Sequence, residues 1–231
     1  MGAAKGRAVR FEDVGELLER LGGIPPERVC MDPLPGTATE QDLLRKHGRP
    51  RKLYELVDGT LVEKPMSRPE AFVAAELVRI LGLFVVEHDL GFCTGADDLI
   101  ELMPKRVRGP DVSFVAWAKR PNKTIDTDAI SKCVPDLVVE VLSPNNTRDE
   151  MALKRKDYFF AGIRLVWEID PRKRTAEAYT APDEKTVIPA NGTLDGGEVV
   201  PGFRLPLAKL FERFPATASK KPAKQPKRKR K

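Results

Sequence analysis

Apolar positions recur along the chain with two different periods, which divide it into helices and strands. Near the N-terminus, five apolar residues follow helical spacing before two glycines: Phe11, Val14, Leu17, Leu18 and Leu21. A capping box from Thr37 to Glu40 predicts a second, short helix that ends near Gly48. Residues 1–48 are therefore expected to form a helical N-terminal extension.

Residues 49–214 combine strand patterns with three predicted helices. Asp58-Gly59 separates two alternating segments, 53–57 and 60–64, and predicts a tight β-hairpin. Further strands are predicted at 91–94, 99–103, 111–117, 136–142, 165–169 and 175–180. Helices are predicted at 67–87, with Phe72, Leu77, Ile80, Leu81 and Phe84 on one side, at 147–162 and at 207–214. One strand–helix–strand crossover predicts an α/β fold with a mixed sheet flanked by helices.

The charge of the chain is distributed unevenly. The net charge is +6, yet residues 220–231 hold six Lys, two Arg and no acid, which leaves −2 on residues 1–219. A single domain, 49–214, is therefore expected to carry a disordered Lys/Arg-rich tail, 215–231. The tail suits nucleic-acid binding without sequence selectivity, and a solubilising terminus is the alternative.

Apolar runs are too short for a membrane span. The longest uncharged runs, 80–86 and 112–118, have seven residues each, against roughly 18 for a spanning helix. No secretory signal pattern opens the chain. The sequence therefore predicts a cytoplasmic protein without membrane partners.

Common catalytic motifs are missing from the sequence. It holds no phosphate-binding loop, dinucleotide fingerprint, GxSxG elbow or HExxH motif. Its two histidines lie in different contexts, and its three cysteines form no CxxC pair, which argues for reduced thiols rather than a disulfide framework or a zinc site. Chemistry in this chain must be performed mainly by carboxylates and amines.

Three acids stand at positions where strands are otherwise apolar. Glu140 interrupts the segment Leu-Val-Val-Glu-Val-Leu, Asp111 follows Gly-Pro before an apolar strand, and Glu55 precedes the hairpin turn. Three carboxylates at strand ends can together hold Mg²⁺, which prefers oxygen ligands. The helix after Glu140 offers basic side chains at 154–156 that can offset charge on a phosphate.

Each of these residues also has a purely structural interpretation. Asp111 can stabilise a turn, Glu140 can pair with an arginine, and Glu55 can face solvent on a half-exposed hairpin. The basic residues of the helix can form a solvated face. Between Lys154 and Lys156, which lie about 200° apart on an ideal helix, Lys154 is preferred because it borders the face of Met151 and Tyr158.

The order of these residues resembles the PD-(D/E)xK nuclease superfamily, and the stretch 54–211 resembles the Uma2 family of restriction endonucleases. The matching segments are Tyr54-Glu-Leu-Val-Asp-Gly59, Arg108-Gly-Pro-Asp111-Val-Ser-Phe, Pro135-Asp-Leu-Val-Val-Glu-Val-Leu-Ser-Pro144, Lys154, Tyr158, Ala161-Gly162 and Val166-Trp-Glu-Ile-Asp-Pro171. The resemblance implies a restriction-endonuclease-like fold and Mg²⁺- or Mn²⁺-dependent hydrolysis of DNA phosphodiester bonds. Asp111 and Glu140 would be metal ligands, Glu55 an accessory acid and Lys154 the lysine of the site.

The chain departs from the family pattern at two positions. Leu142 stands where the superfamily lysine follows the acid, and Ala71 lies near a position where many relatives carry a histidine. Two hypotheses follow: a DNA-cleaving enzyme that acts alone or as a homodimer, and a nuclease-like module that binds DNA or a partner without cleaving.

Overall fold

The described part of the chain, residues 8–47 and 52–214 of a computed structural model, forms five α-helices and twelve strands. The helices are α1 (Val14–Arg20), α2 (Glu40–Lys46), α3 (Arg68–Glu87), α4 (Arg148–Phe160) and α5 (Leu207–Leu210), with short 3₁₀ turns at Pro26–Arg28 and Trp117–Lys119. The strands are β1 (Leu53–Val57), β2 (Thr60–Lys64), β3 (Gly91–Gly95), β4 (Ile100–Met103), β5 (Arg106–Arg108), β6 (Val112–Ala116), β7 (Leu137–Val141), β8 (Leu165–Asp170), β9 (Thr175–Tyr179), β10 (Lys185–Ile188), β11 (Thr193–Asp195) and β12 (Arg204–Pro206).

A four-stranded antiparallel sheet, in the order β2-β1-β5-β4, contains the predicted hairpin. Asp58 and Gly59 both adopt positive φ, which the tight turn requires. The register places Glu55 opposite Val62, so Glu55, Val62 and Lys64 lie on the same face of the hairpin. The turn therefore fixes which side chains of β1 and β2 point together.

A six-stranded mixed sheet, in the order β10-β9-β8-β7-β6-β3, forms the centre of the molecule. Its one parallel pair, β7 with β8, is joined by α4 and is the predicted crossover. On one face of the sheet, Leu137, Val139 and Val141 pack in the core that includes α3. On the other face, Val138 packs with Tyr158 of α4. Glu140 shares that second face because side chains alternate along a strand.

The segment before β1 packs on the hairpin. Leu17, Leu21 and Ile24 contact Val57 and Val62, the hairpin face that also carries Glu55. The backbone N–H of Cys30 donates to the carbonyl of Leu61, and that of Ala38 donates to the carbonyl of Gly59. Ala38 and Leu43 pack with Leu56 and Leu61 on the opposite face, so the N-terminal segment contacts both faces of β1 and β2. The predicted boundary near residue 48 and the predicted tail lie outside the described residues.

The predicted fold class is confirmed: the protein is a mixed α/β structure with helices against the sheets. Three details of the predicted elements were wrong. The cap of α2 is Thr39, paired with Asp42, rather than the Thr37–Glu40 box; Phe72 is 40% exposed rather than part of the buried side of α3; and α5 ends at Leu210. No helix among the described residues is long and apolar enough to cross a membrane. Cys30, Cys93 and Cys133 are free thiols.

Candidate active site

Glu140 lies at the centre of a buried charged cluster between the two sheets and α4. Its side chain is directed away from the apolar core around α3 and is only 4% exposed. Lys154 Nζ lies 3.1 Å from Glu140 Oε1 and 3.2 Å from Glu140 Oε2, and the Tyr158 hydroxyl donates to Oε1. The cation that Glu140 requires is therefore a lysine of α4 and not an arginine, which was the structural alternative.

Glu55 reaches the same cluster from the hairpin. Its Oε1 lies 3.0 Å from Lys154 Nζ, and its Oε2 lies 2.8 Å from Arg108 NH1. The expectation that Glu55 faces solvent was wrong, since it is 2% exposed. Lys154 thus bridges a carboxylate of one sheet to a carboxylate of the other.

Asp111 enters the cluster just before β6. Its Oδ2 accepts a hydrogen bond of 2.6 Å from the backbone N–H of Val141, the residue after Glu140. Its Oδ1 lies 2.7 Å from Nζ of Lys64, at the end of β2. Asp111 is therefore held against β7 by the backbone and balanced by a lysine, instead of only stabilising a turn.

One buried stripe of α4 supplies most of the remaining contacts. Glu150, Lys154, Asp157 and Tyr158 are spaced so that they lie on the same side of a helix, and all four are buried. Asp157 accepts from Nε and NH2 of Arg108, at 3.0 and 2.6 Å. Lys156, the alternative to Lys154, is exposed. The solvated-face interpretation therefore holds for Lys156 and was wrong for Lys154.

Burial and neighbouring charges shift the pKa values of Glu55 and Glu140 in opposite directions. Burial disfavours the ionised form of Glu55, but the charges of Lys154 and Arg108 outweigh it and hold the Glu55 pKa well below its usual range. For Glu140, burial dominates over Lys154, and the nearby Asp111 charge adds to it, so the Glu140 pKa is raised. Burial opposes the charged form of Lys154, yet Glu140 and Glu55 reverse this and raise the Lys154 pKa. Lys154 is therefore a fixed positive charge.

The chain matches the model of a known protein family. A model of the Uma2 family, described as "Putative restriction endonuclease", matches residues 41–208, more than half of the chain. The chain belongs to the Uma2 family. The resemblance drawn from its sequence is thus confirmed, and membership supports a nuclease role. None of the curated proteins matches the chain.

A solved structure shares the fold of this chain. The crystal structure of a putative nuclease belonging to DUF820 from Anabaena variabilis aligns with a TM-score of 0.63 at 20% identity, over 75% of this chain and 97% of that one. At this identity the likeness shows the fold alone. Residues 8–40, which pack on the hairpin and α4, precede the Uma2 match.

Carboxylate oxygens of the kind that Mg²⁺ prefers are present in the cluster, on Asp111 and Glu140. Among residues 8–47 and 52–214, no group of three or more His, Cys, Asp or Glu side chains is arranged to hold a metal ion. The predicted grouping of three carboxylates around one ion is absent from these residues, and Glu55 has two cationic partners, Arg108 and Lys154, whereas Asp111 and Glu140 have one each, Lys64 and Lys154. Asp111 and Glu140 remain as hard oxygen ligands, and Mg²⁺ is commonly held by one or two carboxylates together with waters and substrate phosphates.

One departure from the superfamily pattern is at Leu142. Leu142 carries no charge, and the cation beside Glu140 comes from α4 instead. Ala71, near the family histidine, lies in the first turn of α3.

Sequence reasoning missed Lys64, Arg108 and Asp157 as members of the site. A signal for Asp157 existed, since it lies on the helix stripe of Lys154. Lys64 and Arg108 carry no such local signal, because their partners are far away in the sequence.

A groove of about 570 Å³ lies between α4 and the strands β8 and β9. Leu142 and Ser143, at the end of β7, form part of its wall. Five basic side chains line the groove: Arg148, Arg155, Arg172, Lys173 and Lys185. Three acids line it as well, Glu168, Asp170 and Glu177, so its lining is positive overall.

Proposed function

We propose that the protein is a Mg²⁺- or Mn²⁺-dependent endonuclease that hydrolyses phosphodiester bonds of DNA. The observation that supports this most directly is the buried Lys154, which bridges Glu140 and Glu55 next to Asp111. Carboxylates and a fixed lysine at the junction of two sheets provide ligands for a hard cation and a positive charge for a phosphate. The Uma2 family membership supports the same reaction class.

Asp111 and Glu140 would hold the metal ion. When bound, the ion would supply Lewis acidity toward a phosphate oxygen and lower the pKa of a coordinated water. The backbone N–H of Val141 fixes the orientation of Asp111, and the Tyr158 hydroxyl does the same for Glu140. These contacts would hold both carboxylates in position before the substrate arrives.

Lys154 would stabilise the negative charge that develops on the phosphate as water attacks phosphorus and a P–O bond of the backbone breaks. Glu55 is an accessory acid in this scheme, because it contacts Lys154 and Arg108 and so positions the ammonium. The basic lining of the groove beside α4 is compatible with an approaching DNA backbone.

Mn²⁺ titration and DNA cleavage test the proposal. Calorimetric titration of Mn²⁺ is expected to show binding to the wild type and none to Glu140→Gln, and cleavage of plasmid DNA should disappear in Asp111→Asn and Glu140→Gln. Lys154→Met should lose cleavage by a factor of at least about 100, whereas the neighbouring Lys156→Met should retain it. Full cleavage by Glu140→Gln would refute the proposed site.

A nuclease-like module that binds DNA without cutting is the second candidate. It is favoured by the fact that each carboxylate of the cluster already has a protein cation as a partner. This candidate predicts DNA retention that weakens with salt, no cleavage, and no rise in melting temperature with Mg²⁺ or Mn²⁺.

A further inference from the structure

Lys64 is a lysine whose charged group is buried at the end of a strand. It ends β2, is 7% exposed and has two polar contacts: Asp111 Oδ1 at 2.7 Å and the carbonyl oxygen of Gly109 at 2.5 Å. Burying an ammonium group is costly unless a carboxylate and further acceptors replace its hydration. The pairing with Asp111 therefore compensates for a substantial desolvation cost.

Charge balance at the site depends on Lys64. Four carboxylates face four cations across the two sheets and α4: Asp111, Glu140, Glu55 and Asp157 against Lys64, Lys154, Arg108 and Arg106. The charge of Lys64 also acts on Glu55 and Glu140, lowering the pKa of each, although it is not the largest influence on either. Without Lys64 the cluster would hold one uncompensated negative charge.

The two oxygens of Asp111 have different partners. Oδ2 accepts a hydrogen bond from the backbone N–H of Val141, and the pairing of β7 with β8 holds Val141 in place. Oδ1 is the oxygen that a cation can share, and this is the oxygen that Lys64 contacts. A divalent ion at Asp111 and the ammonium of Lys64 thus compete for the same atom.

We propose that Lys64 is the counter-ion of Asp111 whenever no divalent cation is bound, and that it sets the metal affinity of the site by competing for Asp111 Oδ1. This inference rests on the proposed metal-dependent function. Lys64 retains a partner on release, because its Nζ also contacts the Gly109 carbonyl. Lys154 likewise retains its contact with Glu55 if Glu140 turns from Lys154 to a metal ion. Lys64 is a positioning residue, acting on the metal through Asp111.

Lys64→Met is the informative variant, since methionine keeps an unbranched apolar stem and removes the charge. Asp111 would then be buried without a cation, so the melting temperature is expected to fall by about 10 °C. Saturating Mn²⁺ should restore most of this loss and raise the melting temperature of Lys64→Met more than that of the wild type. Calorimetry should give a Mn²⁺ Kd at least about tenfold lower than in the wild type.

Two control variants separate this role from an ordinary buried ion pair. Arg28→Met removes another buried cation, the partner of Glu150 at 2.6 Å, and should be destabilised without gaining a larger Mn²⁺ effect than the wild type. Lys64→Met combined with Asp111→Asn leaves no unpaired charge, so it should be more stable than Lys64→Met and insensitive to Mn²⁺. All titrations are run with and without a short DNA duplex.

The outcomes distinguish this inference from the proposed function. If the wild type binds Mn²⁺ through Glu140 but Lys64→Met shows the same affinity and the same thermal shift, Lys64 is only structural and the inference is overturned. If neither protein binds Mn²⁺ with or without DNA, the metal-dependent function fails together with it.

Discussion

Glu55 and Glu140 share one lysine, yet their pKa values move in opposite directions. Glu55 has two cationic partners, Lys154 and Arg108, which together overcome the effect of burial. Glu140 has Lys154 and a neutral hydroxyl as partners and lies near the charge of Asp111, so burial prevails. The carboxylate with the lowered pKa, Glu55, is thus the one predicted to be accessory. The ionised form of the proposed metal ligand, Glu140, is disfavoured by burial, and a bound divalent cation would stabilise it.

The lowered pKa of Glu55 predicts acid sensitivity. A carboxylate whose folded pKa lies below its unfolded value stabilises the protein above about pH 4.5, and this contribution is lost as pH falls toward the folded value. Glu55→Gln should reduce the free energy of unfolding by about 3–5 kcal/mol at pH 7. The difference from the wild type should narrow steadily below pH 4.5, where the wild type itself loses this contribution.

Urea denaturation between pH 3 and 7 measures this difference. Glu140→Gln is the matched control, because the pKa shift of Glu140 is in the opposite direction to that of Glu55. With a raised pKa, ionisation of Glu140 lowers the stability of the folded state as pH rises through that pKa. A gap between wild type and Glu55→Gln that stays constant down to the lowest pH would show that the pKa of Glu55 is the same in the folded and unfolded protein.

Local periodicity predicted Glu140, Asp111 and Lys154 as members of a possible site, and geometry brings them together. The period of two placed Glu140 on a face with Val138, and the period of 3.6 separated Lys154 from Lys156. The ion-pair partners of these residues could not be predicted from local periodicity. Lys64 and Asp111 are paired across two sheets, and a pattern confined to one strand holds no information on which sheet faces it.

The N-terminal segment holds α4 through contacts of Gly22 and Arg28. The Thr147 hydroxyl, which caps α4, donates to the carbonyl of Gly22 at 2.5 Å. Arg28 lies 2.6 Å from Glu150 on the buried stripe of α4. These contacts hold the first turn of α4, the helix on which Lys154 lies. The segment before the Uma2 match therefore contributes to the position of the site.

Gly22 and Gly23 form a matched pair for testing this contact. Both have positive φ, but a Cβ at Gly22 would lie 2.5 Å from the backbone of Glu150, whereas one at Gly23 would meet nothing within 4 Å. Gly23→Ala should cost about 1–2 kcal/mol from backbone strain alone. Gly22→Ala should cost about 1–3 kcal/mol more, and should increase hydrogen exchange at the start of α4. Equal stability of the two variants would show that the contact is dispensable.

Elements with strong local signals were predicted well, and short ones were missed. The Asp-Gly turn gave the hairpin with its exact ends, and the Thr147 cap gave the start of α4. The strands β5, β11 and β12 have three residues each, too few for an alternating pattern to stand out. Their strand conformation comes from neighbouring strands that lie elsewhere in the sequence.

Positive charge is concentrated in residues 220–231, separate from the residues of the proposed active site. Residues 1–219 carry a net charge of −2, while residues 220–231 carry +8 and lie beyond the Uma2 match. Long-range attraction to DNA would therefore come mainly from residues 220–231, and the basic groove beside α4 would act only at short range. This division predicts that affinity and cleavage can be separated by changing the terminus.

Replacing the eight basic residues of 220–231 by glutamine tests this separation. Each neutralised phosphate contributes about −0.9 to the slope of log K against log salt concentration, so the slope for a nonspecific duplex should become shallower by several units. Fluorescence anisotropy from 50 to 300 mM salt, roughly the range where counterion release is measurable, gives the slopes of both proteins. Cleavage at saturating protein should be unchanged, because Asp111, Glu140 and Lys154 lie outside the replaced segment. Equal slopes would assign DNA attraction to the folded domain and make the basic segment a solubilising terminus.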